Sequence, residues 1–211
     1  MTELEWRECC DPRPLARWLG GGADGRKSRL FGCHCCRRVW PLLDRAHRRA
    51  VRASERFADG LLGEEAWWRA GAGLPPARTT AEEAAWAAWR GYGVAAARRA
   101  ADAAEEAGPP TSGLATWMAE RAWQAALLRE MCGQPSRGPH LVDRDVLAWN
   151  DGSVRRIARG IYERGAFGWL PILHDALLDA GCDDDVLLEH LRDPGPHVRG
   201  CWALDAVLAK G

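Results

Sequence analysis

Two cysteines and two histidines near the C-terminal end of the chain carry side chains that bind transition metals. They are Cys182, His190, His197 and Cys201. Thiolate and imidazole are ligands that zinc prefers, and two of each can complete a tetrahedral site. If residues 196–209 form a helix, His197 and Cys201 lie four positions apart and point to the same side. The spacing therefore predicts a zinc site, provided that the other two ligands converge on that helix.

The same residues allow two other interpretations. Cys201 could be a nucleophile with His197 as its base and Asp205 one turn further along, although such chemistry also needs an oxyanion-stabilising group. Alternatively, His197 caps the turn that reads PGPHVRG, while Cys201 and Trp202 pack inward. The chain has no glycine-rich phosphate loop and no HExxH or GxSxG motif, so we expect a protein that is not an enzyme.

A second cysteine group lies in the N-terminal part, where four consecutive residues read CHCC. Cys33 and Cys36 have the C-x2-C spacing of many zinc sites, and Cys9 and Cys10 could add ligands. These two are adjacent, however, so a second well-spaced pair is missing. If residues 26–40 form a helix, Cys33 and Cys36 share its apolar side, and buried free cysteine packs as a small hydrophobic residue. We expect core packing here, with zinc as the alternative.

Positive charge is concentrated in residues 26–56, which hold ten basic and two acidic residues. The whole chain has 29 of each sign, which excludes attraction to nucleic acid or membranes through overall charge. One predicted helical stripe could meet phosphates or an acidic partner: it consists of Arg45, Arg48 or Arg49, Arg52 and Arg56. Alternatively, this segment pairs within the fold with residues 175–193, which hold seven acids and one base. No recognised nucleic-acid-binding motif accompanies the stripe.

The elements that must position these side chains are predicted to be helices throughout. Apolar residues recur at helical spacing, and no stretch alternates branched and polar residues as a strand does. We predict an all-α fold, an irregular bundle of about eight to ten helices. Twelve tryptophans are expected to act as core residues between alanine-rich helices. The alanine-rich run that ends at Ala107 is expected to break near Gly91 and Gly93.

The clearest linker is predicted at residues 133–140, which contain two prolines and two glycines. It separates an N-terminal lobe, 1–134, from a C-terminal lobe, 141–211, although both can pack as a single domain. The start of the chain has no apolar signal-peptide region, and no window is apolar enough to span a membrane. We therefore expect a cytoplasmic protein whose eight cysteines are reduced thiols or metal ligands.

Both ends of the chain resemble an uncharacterised α-helical protein family that is expanded in planctomycete bacteria. The resemblance is carried by CDPRPLARWL and RKSRLFGCHCCRRVW in the first 60 residues, and by LPILHDALLDAGCDDD and HLRDPGPHVRGCWALDAVLAKG in the last 70. It implies an all-helical fold and an unassigned function. Separately, the segment LRDPGPHVRGCWALDAVLA is similar to one HEAT-type repeat, which predicts HEAT-like helical hairpins in the C-terminal part.

These observations favour a non-enzymatic helical module that binds another protein. Zinc binding, structural or catalytic, is the alternative, and nucleic-acid binding through the arginine-rich helix is the second alternative. The sequence names neither the partner nor the oligomeric state.

Overall fold

The computed structural model describes residues 1–19, 25–108, 113–134 and 141–210. Within this part of the chain every regular element is a helix, which confirms the all-α prediction. The chain divides into two compact units, residues 1–129 and 130–211. The predicted linker at 133–140 lies mostly outside the described residues, because 135–140 are not among them.

The described residues of unit 1 form eight α-helices, the last of which runs on into unit 2. Their bounds are α1 Glu3–Glu8, α2 Pro12–Leu15, α3 Arg26–Arg38, α4 Arg45–Ala58, α5 Glu64–Ala72, α6 Thr80–Arg90, α7 Gly93–Ala107 and α8 Gly113–Cys132. Local signals explain several helix ends. Asp44 and Thr79 cap α4 and α6 by accepting a hydrogen bond from a first-turn amide. The alanine-rich run breaks as predicted, because Gly91 adopts a left-handed conformation with φ +88° after α6.

The core of unit 1 forms where α3 packs against α4, α6 and α7. Small residues allow these helices to approach closely. A Cβ on Gly32 would lie 3.0 Å from the Cα of Gly93 and 3.1 Å from the Cβ of Ala96. The alanine content of α6 and α7 therefore has a packing role, because larger side chains would force these helices apart.

Unit 2 contains the end of α8 and four further helices: α9 Arg144–Arg164, α10 Leu170–Asp179, α11 Asp185–Arg192 and α12 Trp202–Leu208. The backbone leaves the helical conformation inside α9 at Trp149–Gly152, so α9 consists of two helical segments joined by a turn. The core of this unit consists mainly of leucine, isoleucine and valine side chains from α9 to α12. The HEAT-like hairpins stay a prediction.

Two sequence-based expectations about unit 2 and the tryptophans are wrong. The helix predicted over 196–209 begins only at Trp202, so the preceding residues form an irregular segment. Among the tryptophans, Trp68, Trp149 and Trp169 are exposed and do not fill a core. Indole rings are also stable at partly solvent-exposed positions, because they are apolar except for one N–H group. Their burial is therefore hard to predict from sequence.

Candidate metal centre

Four side chains with metal-binding atoms come together inside unit 2. They are Glu130, His190, His197 and Cys201, and one ligand atom of each lies within 4.8 Å of the other three. Glu130 is at the end of α8, His190 is in α11, and Cys201 is the N-cap residue of α12. His197 belongs to the irregular segment between α11 and α12. The centre is therefore built from four different stretches of chain.

The distances inside the cluster match the edges of a small coordination tetrahedron. His190 Nε2 lies 3.3 Å from Glu130 Oε2 and 3.3 Å from Cys201 Sγ. His197 Nδ1 lies 3.1 Å from Glu130 Oε1. Tetrahedral zinc with bonds of about 2.0–2.3 Å has ligand atoms about 3.3–3.8 Å apart. The remaining ligand atoms lie within 4.8 Å of one another, so coordination of one ion would require these side chains to move closer together.

The segment that presents His197 is held by side-chain hydrogen bonds to its own backbone. Asp193 Oδ1 accepts from the amide of Gly195 at 2.8 Å, and His197 Nε2 lies 2.7 Å from the carbonyl oxygen of Asp193. Such local bonds compete with helix formation, which accounts for the late start of α12. His197 does sit in the PGPHVRG turn, and Cys201 and Trp202 are buried, as the third interpretation expected.

The outer contacts of the two histidines differ in what they imply for a metal. His197 Nε2 faces only a carbonyl acceptor, so it carries a proton and leaves Nδ1 for Glu130 or a metal. Metal-bound histidines commonly donate their other ring proton in this way. His190 Nδ1 instead accepts from the indole N–H of Trp202 at 3.2 Å. Coordination through His190 Nε2 would move the ring proton to Nδ1, and the Trp202 indole would then have to release its bond.

The position of Trp202 depends on a glycine at the end of α8. Gly133 has φ +66°, and a Cβ there would lie 3.0 Å from the Trp202 ring. The glycine therefore meets two requirements, a left-handed backbone and close contact with an indole. This contact joins the end of the helix that carries Glu130 to the start of the helix that follows Cys201.

The electrostatics of the cluster favour one carboxylate and one protonated imidazole. Burial by itself raises the pKa of the Glu130 carboxyl, but the hydrogen bonds and charges of His190 and His197 outweigh it and lower that pKa to about 2. Burial lowers the pKa of His197, yet its bond to Glu130 reverses the effect and raises it. Burial and the charge of Glu130 raise the pKa of the Cys201 thiol well above its usual value. Cys201 is therefore no activated nucleophile without a metal.

Three of the four ligands proposed from sequence meet in this cluster, namely His190, His197 and Cys201. Cys182 does not belong to it and instead packs at the edge of the unit 2 core. Glu130 takes the fourth place, and sequence reasoning missed it. A usable signal was present, because an acidic residue lies close in sequence to three buried apolar residues of α8, namely Leu127, Leu128 and Met131. A buried carboxylate needs a partner.

The cysteines of α3 occupy a different environment. Cys33 and Cys36 are fully buried among core residues of unit 1, as the core-packing interpretation expected. Cys33 Sγ lies 3.8 Å from the carbonyl oxygen of Val51. Among the described residues, neither cysteine belongs to a group of three or more potential ligands. Burial raises the pKa of both thiols well above the usual value, which keeps them protonated.

The described residues contain one further ligand group, formed by Asp44, His47 and Glu82 in unit 1. Its carboxylates already have structural roles. Asp44 caps α4 and also lies 2.8 Å from Nδ1 of the buried His47. Glu82 accepts a hydrogen bond of 2.7 Å from the amide of Arg78. Without cysteine or a second histidine, this group is a weaker match to zinc.

The predicted arginine stripe lies along the outer side of α4. Arg45, Arg49, Arg52 and Arg56 are exposed, whereas Arg48 is partly buried and donates to the carbonyl oxygens of Trp40 and Pro41. The nucleic-acid interface and the pairing with the acidic segment stay predictions.

Comparisons with known proteins add no relative. No family model, no curated protein and no solved structure matches this chain. The resemblance to a planctomycete family therefore stays a prediction. In the described part of the chain, no helix combines the length and the apolar character that a membrane crossing requires.

Proposed function

We propose that unit 2 binds one zinc ion through Glu130, His190, His197 and Cys201, and that this ion stabilises the packing of α8, α11 and α12. The observation that carries the proposal is the set of ligand-to-ligand separations of 3.1–3.3 Å around Glu130 and His190. These separations lie at or just below the lower end of the range of about 3.3–3.8 Å between tetrahedral zinc ligands.

Charge balance supports the same ion. One carboxylate, one thiolate and two neutral imidazoles carry two negative charges together, which a divalent cation neutralises. A buried site tolerates such an ion because no net charge remains. In the absence of metal, the carboxylate of Glu130 and a protonated His197 also balance. Zinc would then replace protons at a site that stays neutral in both forms.

The number of ligands favours a structural role over a catalytic one. Catalytic zinc sites usually have three protein ligands and an open position, whereas structural sites are closed by four. Here four side chains converge, and two of them, Glu130 and Cys201, are buried. We accordingly propose a non-enzymatic protein. The cytoplasmic location stays a prediction, in which a reducing compartment would keep the cysteines as thiols.

The test is zinc binding by the intact chain and by two matched cysteine variants. Purified protein is stripped with chelator, equilibrated with zinc chloride and freed of excess metal, and its zinc-to-protein ratio is measured. We expect a ratio near one for the wild type and for Cys182→Ser, and a ratio near zero for Cys201→Ser. Cobalt in place of zinc should give the absorption of a tetrahedral thiolate complex in the same two proteins. Folded wild-type protein without bound zinc would overturn the proposal, as would Cys201→Ser with unchanged binding.

The protein-interaction role that the sequence favours is compatible with this proposal and stays a prediction. A zinc-stabilised helical unit would act as a scaffold, and its partner surface is not identified by the ligand cluster.

A further inference from the structure

A cavity of about 740 Å³ in unit 1 is lined mainly by residues of α7 and α8. Its volume falls in the range of small-molecule sites. Arg13 of α2, together with Arg98 and Arg99 of α7 and Arg121 of α8, brings four guanidinium groups to its walls. Two aromatic side chains, Tyr92 and Trp117, also line it. Guanidinium groups and aromatic rings in one cavity are suited to an anion attached to a planar ring.

Part of this arrangement is fixed before any ligand arrives. The side chain of Arg121 is only 8% exposed, and its Nη2 lies 2.7 Å from Asp11 Oδ1. Its guanidinium carbon lies 5.4 Å from the Trp117 ring centre. The indole N–H of Trp117 in turn donates to Asp102 at 3.3 Å. Asp11 and Asp102 therefore orient the buried arginine and the indole, as preorganised sites require.

The arginines other than Arg121 are more accessible to a ligand. Among the described residues the four arginines form ion pairs with three carboxylates, those of Asp11, Glu83 and Asp102, so this group has one more positive than negative charge. Arg98 is the most available, because its side chain is 72% exposed and its Nε lies 4.0 Å from Asp102, beyond hydrogen-bonding distance. At the same cavity Tyr92 is 49% exposed. The cavity walls therefore present an exposed guanidinium and an exposed aromatic ring, and buried contacts hold Arg121 and Trp117 in place beside them.

We propose that this cavity binds a small phosphorylated aromatic molecule of the size of a nucleoside monophosphate. The phosphate is held by Arg98 with Arg13 and Arg99, since guanidinium forms paired hydrogen bonds with phosphate oxygens. The ring lies against Trp117 and Tyr92, whose faces stack on planar rings. The proposal is independent of the zinc centre, because every residue involved belongs to unit 1.

Calorimetric titration of the full chain with three probes tests the proposal. The probes are adenosine 5′-monophosphate, inorganic phosphate and adenosine. We expect the monophosphate to bind at least about tenfold more tightly than either part alone, since both the anion and the ring contribute. Absence of monophosphate binding at millimolar concentration would overturn the proposal. Phosphate or adenosine binding as tightly as the whole molecule would overturn it too.

Matched variants locate the binding. Arg98→Ala should weaken monophosphate binding by at least about tenfold, the scale of one charge-assisted hydrogen bond. Tyr92→Ala should weaken binding of the monophosphate but leave phosphate binding unchanged. Arg69→Ala is the control, because Arg69 is 71% exposed on α5 and does not line the cavity. Equal affinity of Arg98→Ala and Arg69→Ala, both with wild-type circular dichroism, would contradict the assignment.

Discussion

Replacing Glu130 by glutamine removes a buried negative charge from the candidate metal centre while keeping the side chain's size. In the wild type this carboxyl has a pKa lowered from 4.5 to about 2, since its bonds to the two histidines outweigh the opposing effect of burial. A lowered pKa contributes stability that is complete above the unfolded-state value, near 4.5, and is lost as the pH falls through about 2. At pH 7 that contribution is about 3 kcal/mol, because each pH unit corresponds to about 1.4 kcal/mol. We therefore expect Glu130→Gln to lower the free energy of unfolding by about that amount.

Urea unfolding of zinc-free protein at pH 7, followed by tryptophan fluorescence, measures this loss. The matched control is Glu189→Gln, since Glu189 is exposed on α11 in the same unit. The control should change the unfolding free energy by less than about 0.5 kcal/mol. A loss below about 1 kcal/mol in Glu130→Gln, or equal losses in both variants, would refute the reasoning about the buried ion pair.

The urea unfolding of the same two variants can be measured again with zinc present. Free zinc at a hundredfold excess over its dissociation constant should stabilise the wild type by about 2.7 kcal/mol, because only the folded state holds the assembled site. Glu189→Gln should keep this gain, and Glu130→Gln should lose most of it. Zinc stabilisation that survives in Glu130→Gln would show that the carboxylate is not a ligand.

Three further predictions use other contacts. Zinc affinity should rise with pH, because Cys201 and His197 must lose protons to coordinate the ion. Calorimetric titrations in buffers of different ionisation enthalpy should report the release of about two protons for each zinc ion bound. A zinc affinity that does not change with pH would contradict this prediction. The pKa of Asp11 is lowered from 3.8 to about 2, mainly by its hydrogen bond with a neighbouring arginine. Its contribution is present above pH 3.8 and lost as the pH falls toward 2, so Asp11→Asn should flatten the acid dependence of stability in that interval, measured by thermal melting. Gly133→Ala should cost about 2 kcal/mol or more in urea unfolding, since its φ of +66° is strained for alanine and the Cβ would meet an indole ring at 3.0 Å. Gly160→Ala is its control, because nothing lies within 4 Å of a Cβ there, and it should be neutral or slightly stabilising; a similar cost in both variants would argue against the indole contact.

Much of the secondary structure followed from residues close together in the chain. Caps such as Asp44 and Thr79 act on amides three positions away, and Gly91 ends a helix through its own backbone conformation. These interactions are local, so composition and spacing reveal them without knowledge of the fold. The prediction failed where two local preferences competed. The segment before Trp202 has helical spacing, yet the side chains of Asp193 and His197 bind its backbone and keep it irregular.

The candidate site shows the same division between local and tertiary information. Residue type alone marked His190, His197 and Cys201 as potential ligands, because few side chains bind zinc. Only the tertiary structure decided which side chain joined them: it brought Glu130 from 60 or more positions away in the chain and left Cys182 outside. That choice depends on where residues 130–211 place these side chains in three dimensions, which is set by burial of apolar surface over the whole unit. Spacing along the sequence does not reveal such long-range packing. For this reason the chemical type of the ligands was predictable from sequence, whereas the residues that come together in the site were not.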